Sequence, residues 1–323
     1  MKQLLSTAAA AAALAIGAAS CVSAKRPVMP SGPVPPEASL WREPSDLAAR
    51  DLFYGPWGAA NAPDPDDTYT LVGLKHSGVN LGLTVRDSRD REWSVKQPYP
   101  GDMDSEAPVE VTLSRLLSAV GYHQPPVYHL RQFRLKDDWG THMEAGGRFR
   151  LKHEDLDEED PWRWEDNPFV GSRPYQGLLA LLMLFNSTDI KNSNNSIYEY
   201  TSGGRVELWY AVRDIGSALG DTDRFAPRKN HAPSFERTPF ILGLTSRGNV
   251  DFAYTGWYEN YVSDRIAPED VVWAATLLSR LTDRQWADAF RAGGYEPAVA
   301  ERFIRALRAK IAEARSLKPA ASD

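Results

Sequence analysis

The spacing of apolar residues changes several times along the chain, and each change marks an element. From residue 69 apolar and polar positions alternate, which predicts strands over 69–75, 79–86 and 92–97. Ser77-Gly78 and Asp87-Ser88-Arg89-Asp90 separate them. Val109, Leu113, Leu116, Leu117 and Val120 then recur at helical spacing, and Gly121 closes that helix. Two further strands are expected over 125–135 and 148–151. After them 178–185 is almost wholly apolar, as a helix buried on every side must be. Segments 197–200 and 206–212 flank Ser202-Gly203-Gly204 and predict a hairpin.

The last third is helical. Ala267-Pro268-Glu269-Asp270 opens one helix, with proline and acids in its first turn. Thr282 and Gln285 form a capping box for the next, which Gly293-Gly294 ends. Val299, Phe303, Leu307 and Ile311 make the apolar stripe of the final helix. This order predicts an α+β architecture with two lobes. A small β-rich lobe with one helix spans 46–152, and a larger, mainly helical lobe spans 153–318. Breaker residues over 61–67 predict a surface loop, and the acidic run 154–160 a solvated loop without calcium-ligand spacing.

Composition sharpens this picture in two places. With 323 residues, 42% of them hydrophobic and 25% charged, the chain can bury a substantial core, and a net charge of −6 argues against nucleic acid as its partner. The first 24 residues read as an export signal: Lys2, then an alanine-rich apolar run over 4–19. Two cleavage sites compete. Val22-Ser23-Ala24 suits a signal peptidase, whereas Ala18-Ala19-Ser20-Cys21 is similar to a lipobox whose cysteine would carry a membrane-anchoring lipid. Cys21 is the chain's one cysteine, so no disulfide is expected. The proline-rich stretch within 25–45 reads as a tether. The expected location is the periplasm or cell envelope.

The chemistry lies in an ordered set of polar residues. Lys96 ends a predicted strand and Glu110 sits on the helix that follows. Asp189, Lys191 and Asn194 form an Asp-x-Lys-x-x-Asn hexad directly after the buried helix, and Asp214-Ile215-Gly216 closes the hairpin. Phosphoryl transfer asks a protein for positioning and charge neutralisation. Lys96 can hold inner phosphates and Glu110 can aim that lysine. Asp189 can accept a hydroxyl proton, and Lys191 can neutralise the phosphate in transit. Asn194 and Asp214 can hold magnesium. Gly78 and Gly82, between the first two strands, let backbone amides approach phosphates. Singly, each of these residues is an ordinary surface group or turn; their order and context make them a site.

Other chemistries explain less. The six histidines lack metal-ligand spacing, and no Gly-x-Ser-x-Gly elbow occurs. A glycosidase pair of Asp189 and Asp214 leaves Lys96, Lys191 and Asn194 without a role. The ten tryptophans, Trp162 and Trp164 among them, suit core packing better than a sugar groove.

At these residues the chain resembles the protein-kinase-like superfamily, in particular its HipA-type and secretory-pathway branches. The resemblance spans about 69–220 and implies a two-lobed kinase-like fold, with ATP and magnesium bound at Lys96, Glu110, Asn194 and Asp214. The acceptor, a protein or small molecule, is left unnamed. Asn186-Ser187-Thr188 replaces the His-Arg of that family, Ile215 replaces its phenylalanine, and no Ala-Pro-Glu follows. Glu106 rivals Glu110, and Asn195 rivals Asn194. The chain is similar also to a group of exported bacterial proteins without assigned activity, through Val95-Lys96 and the stretches at 114–126, 167–171, 189–195 and 213–220. The alternatives are a catalytically inactive binding module of the cell envelope and a carbohydrate-active protein.

Overall fold

A five-stranded sheet closed on itself occupies the N-terminal half. The computed structural model describes residues 36–75, 82–98 and 105–318. The export signal, Cys21, the first part of the tether and Gly78 lie outside the described residues. β1 (Thr68–Lys75), β2 (Gly82–Arg86), β3 (Glu92–Lys96), β4 (Val127–Asp137) and β5 (Gly140–Leu151) form a barrel in the order β1-β2-β3-β5-β4. All its pairings are antiparallel except the closing seam, where Thr68–Thr70 of β1 runs parallel to Arg134–Lys136 of β4. Alternate residues fill the interior. Tyr69, Val85, Trp93, Val95, Phe133 and Phe149 are buried there, with Tyr69 and Phe133 edge-on to Phe149.

The same alternation sends Ser94 and Lys96 of β3, and Arg148 and Arg150 of β5, to the outside of the barrel. α1 (Glu106–Ala119) lies against β4 and β5 and is covered on its other side by α5 (Asp283–Ala292). Hence even its polar residues Glu110, Thr112, Ser114 and Arg115 are buried.

The C-terminal half is built on α2 (Arg173–Leu184), opened by Ser172 and Pro174 and buried over nearly its full length. It packs against α4 (Pro268–Ser279), which also meets α6 (Pro297–Arg315). β6 (Leu156–Glu158), β7 (Asn195–Ser202) and β8 (Arg205–Val212) form a three-stranded sheet. Its hairpin turns at Gly203 and Gly204, whose φ values of 57° and 75° are those a two-residue primed turn demands. Between β8 and α4 lie α3 (Ala232–Arg237) and the short pair β9 (Ile241–Leu244) and β10 (Val250–Phe252).

The architecture is α+β, with a β-rich N-terminal region and helices concentrated toward the C-terminus. The capping box at Thr282 and Gln285 forms as expected, and Trp162 and Trp164 are core residues. Three details differ from the sequence reading. The acidic run contains strand β6, because Leu156 is buried and Leu156, Asp157 and Glu158 pair with Tyr200, Glu199 and Tyr198 of β7. β5 is longer than expected, since its first half is an exposed hairpin arm with no apolar alternation. Val299 is 41% exposed, and Ala300 takes the buried place beside Phe303, Leu307 and Ile311.

Candidate active site

The polar cluster is assembled from β3, β5, α1 and the two polar segments that flank the β7–β8 hairpin. Lys96, at the end of β3, points out of the barrel into a ring of carboxylates. Its Nζ lies 2.8 Å from Asp214 Oδ1, 2.7 Å from Glu106 Oε2 and 3.6 Å from Glu110 Oε2. The lysine side chain is 15% exposed. Burial works against its charge, and Glu110, Asp214 and Glu106 outweigh burial, so the ammonium sits well above the ordinary lysine range. Burial likewise opposes the charge on Asp214; Lys96 overcomes it, aided by Arg150 and Arg148, and that carboxyl is held far below the usual carboxylate range. Glu106 is held at about 2, because Lys96 and Lys229 together exceed the cost of its burial.

Glu110 is the glutamate expected to aim Lys96, yet it is bound chiefly elsewhere. Its Oε1 lies 3.0 Å from Arg148 Nε and accepts from Arg150 Nη2 at 2.8 Å. Arg150 also donates to the backbone oxygen of Arg213, next to Asp214. Glu106 makes the closer contact with Lys96. Its other oxygen accepts from Lys229 Nζ at 2.9 Å and from Ser217 Oγ at 3.2 Å, both from the chain beyond Asp214. Gly216 is required at this approach, for a Cβ there would stand 2.7 Å from Glu106 Cβ and 3.0 Å from Glu106 O.

The hexad is folded by its own asparagine. Asn194 is buried, and its Nδ2 donates to Asp189 O at 2.6 Å. Its backbone oxygen accepts from Arg213 N at 3.0 Å and Asp214 N at 3.3 Å. Asn194 therefore ties the hexad to Asp214 from both its side chain and its backbone. Its rival Asn195 instead donates to Trp162 O. Lys191 Nζ pairs with Asp189 Oδ2 at 2.8 Å, and both side chains reach solvent. Residues 185–188 are zipped to 217–220: Thr188 N donates to Ser217 O, Leu219 N to Phe185 O, and Asn186 Nδ2 to Gly220 O.

The residues expected to share a cleft are thus joined by contacts from Lys96 through Asp214 and Asn194 to Asp189. Gly82 opens β2 opposite Lys75, where a Cβ would stand 2.8 Å from that lysine's Cβ. A neighbouring cleft of about 500 Å³ lies between Thr84 and Ser94 of the barrel, the strand β6, Tyr198 and Arg213. Arg148 and Arg150 were not foreseen; two arginines at i and i+2, flanked by apolar Phe149 and Leu151, were the available signal. Lys229 and Ser217 carried no such mark.

The residues present suit a magnesium ion shared with a phosphate group. Among the described residues no cluster of three or more His, Cys, Asp or Glu side chains could hold a metal alone. Asn194 has its Nδ2 engaged by Asp189 O, which leaves Oδ1 as its ligand atom, and its backbone oxygen accepts from Asp214 N. Two protein oxygens completed by phosphate and water oxygens are an ordinary magnesium shell.

Three solved structures compare with this fold. The Helicobacter pylori proinflammatory kinase CtkA matches with a TM-score of 0.40 at 11% identity, over 77% of this chain and 97% of its own. The Golgi casein kinase with Mn/ADP bound gives 0.39 at 8%, over 78% and 73%. The Rio2 kinase of Chaetomium thermophilum, in an ADP/Mg2+-phosphoaspartate complex, gives 0.32 at 13%, over 75% and 72%. Likenesses this distant say nothing of the ligand or activity of this chain. No protein-family model matches it. No curated protein matches it in sequence.

Proposed function

We propose that this chain is an exported, two-lobed, kinase-like phosphotransferase that binds magnesium–ATP between the barrel and the helical half. The observation that carries the reading is Lys96. A half-buried ammonium held by Asp214 and Glu106, with Glu110 behind them and the Asp189 hexad bonded to Asp214, has the charge pattern a polyphosphate site needs.

In this reading Lys96 binds the inner phosphates and Glu106 keeps its ammonium aimed. Asn194 and Asp214 would hold the metal, which when bound neutralises the phosphate oxygens and fixes their geometry. Asp189 accepts the proton of the acceptor hydroxyl as that oxygen forms its bond to the terminal phosphorus. The bond from that phosphorus to the bridging oxygen breaks, and ADP leaves with the electron pair. Lys191, 2.8 Å from Asp189, offsets charge on the phosphate in transit.

The test is calorimetric titration of the mature domain with magnesium–ATP. Saturable binding in the parent chain and its loss in Asp214→Ala are expected. Equal affinity in the two proteins overturns the reading.

A further inference from the structure

A second cavity, of about 510 Å³, opens at the opposite end of α1 from Glu106. It lies between the segment that precedes the barrel, the turn after α1 and the β7–β8 hairpin. Much of its lining comes from residues 115–124, which the phosphotransfer reading leaves without a role.

One wall is aromatic. Trp57, Tyr200 and Trp209 are half-buried, with Tyr200 and Trp209 at 4.1 Å between ring centroids and Trp57 about 6 Å from each. His123 stacks on Trp209 at 4.5 Å and 11°. Its Nε2 meets Ala38 O at 2.7 Å and so carries the proton. Burial pushes this imidazole down to about 4, so it is neutral near pH 7.

The other wall holds an unmatched charge. Arg115 is 2% exposed, donates to Phe53 O and Val127 O, and lies over the Tyr128 ring. Among the described residues it has no ion-pair partner, whereas Arg42 pairs with Glu207 and Arg50 with Asp46. Asp51 acts on it only at longer range, and Asp51 Oδ1 is taken by the amides of Phe53 and Tyr54. A Cβ on Gly55 would stand 2.8 Å from Arg115 Nη1 and 2.9 Å from its Cζ, so glycine (φ 74°) is what lets the backbone lie this close to the guanidinium. Among the described residues, its Nε and Nη2 alone donate to the protein. Burying a guanidinium without a carboxylate is costly, and a bound anion would remove the cost.

We propose that this cavity binds a small anion bearing a flat ring, with its carboxylate or phosphate on Arg115 and its ring against Trp57, Tyr200 and Trp209. Asp46 and Asp51 also line the cavity, but Asp46 is paired with Arg50 and Asp51 Oδ1 is held by backbone amides, so the charge left to be matched is the guanidinium of Arg115. A neutral sugar would leave Arg115 unmatched.

The probes are benzoate and phenyl phosphate, with benzamide as the uncharged control, titrated into the mature chain by tryptophan fluorescence and thermal shift. A ligand of one ring should half-saturate on the order of 1 mM, with benzamide roughly tenfold weaker. Preference between the two anions tells whether carboxylate or phosphate is the natural group. Arg115→Met should erase the advantage of charge, and Tyr200→Ala should weaken both anions. Where Arg115→Met does not fold, Tyr200→Ala carries the test. No saturable response, equal binding of benzamide, or indifference to Tyr200→Ala overturns the proposal. So does a response lost in Lys96→Met, which would belong to the other cleft.

Discussion

Glu106, not Glu110, lies nearest Lys96: 2.7 Å against 3.6 Å. The two glutamates are one helical turn apart on α1 and divide two tasks, one holding the lysine and the other two buried arginines. Glu106→Gln should weaken magnesium–ATP binding by roughly tenfold with modest loss of stability. Glu110→Gln should instead cost about 3–5 kcal/mol, because Arg148 and Arg150 lose their shared counter-charge in the interior. Denaturant unfolding beside calorimetry separates the two; the reverse pattern would show that the roles are exchanged.

Asp189 and Asp214 differ in what their loss should do. Under the proposed function Asp189→Asn removes the group assigned to accept the proton and leaves those assigned to metal and phosphate, so it should keep nucleotide affinity within about threefold and abolish label transfer from ATP. An inactive binding module shows no transfer even in the parent chain, with nucleotide or other ligand binding intact.

Gly216→Ala tests the close approach of the Asp-Ile-Gly turn to α1. The added methyl meets Glu106 Cβ at 2.7 Å and its backbone oxygen at 3.0 Å, so the first turn of α1 must move. A destabilisation of about 1–3 kcal/mol and loss of nucleotide affinity are expected, the first from overpacking and the second from displaced Glu106. Unchanged melting would contradict the packing described here.

Acid should dismantle the cleft in a defined window. The folded-state values of Glu106 and Asp214 lie below their unfolded ones, so their stabilisation is complete above the ordinary carboxylate range. It is lost as pH falls from about 4.5 toward 2, where Glu106 takes up its proton. Glu106→Gln should flatten part of that slope in acid unfolding followed by circular dichroism.

Lys310 of α6 predicts a slope of the opposite origin. It is buried, donates to Asn186 Oδ1 and Thr238 O, and burial pulls its ammonium down to about 8. The unfolded chain therefore binds more protons than the folded one between pH 8 and the ordinary lysine value. Stability should rise across pH 8 to 10, and that rise should vanish in Lys310→Met. Urea midpoints measured at intervals through the window decide it.

Strands, helices and the polar cleft were legible where local chemistry and tertiary structure agree. β3 alternates, Thr282 caps and Asn194 follows Asp189 at a spacing that lets its amide reach back to that residue. Less legible were contacts whose partners come from distant elements. Nothing local distinguishes Glu106 from Glu110; the choice is made by Arg148 and Arg150 from β5, which claim the second. Lys229 reads as a turn residue until the chain beyond Asp214 folds back on α1. β6 was hidden in an acidic run because its ladder is made by backbone groups, to which side-chain polarity is nearly blind.

α1 carries Glu106 at its first residue and Arg115 in its third turn, and spans about 20 Å over 14 residues. Whatever settles beside its C-terminal end is therefore pressed against the same rigid rod that carries Glu106 against Lys96. If occupancy of the aromatic cavity tilts that rod, affinity at the cleft must change, and by thermodynamic reciprocity nucleotide must change affinity at the cavity by an equal factor.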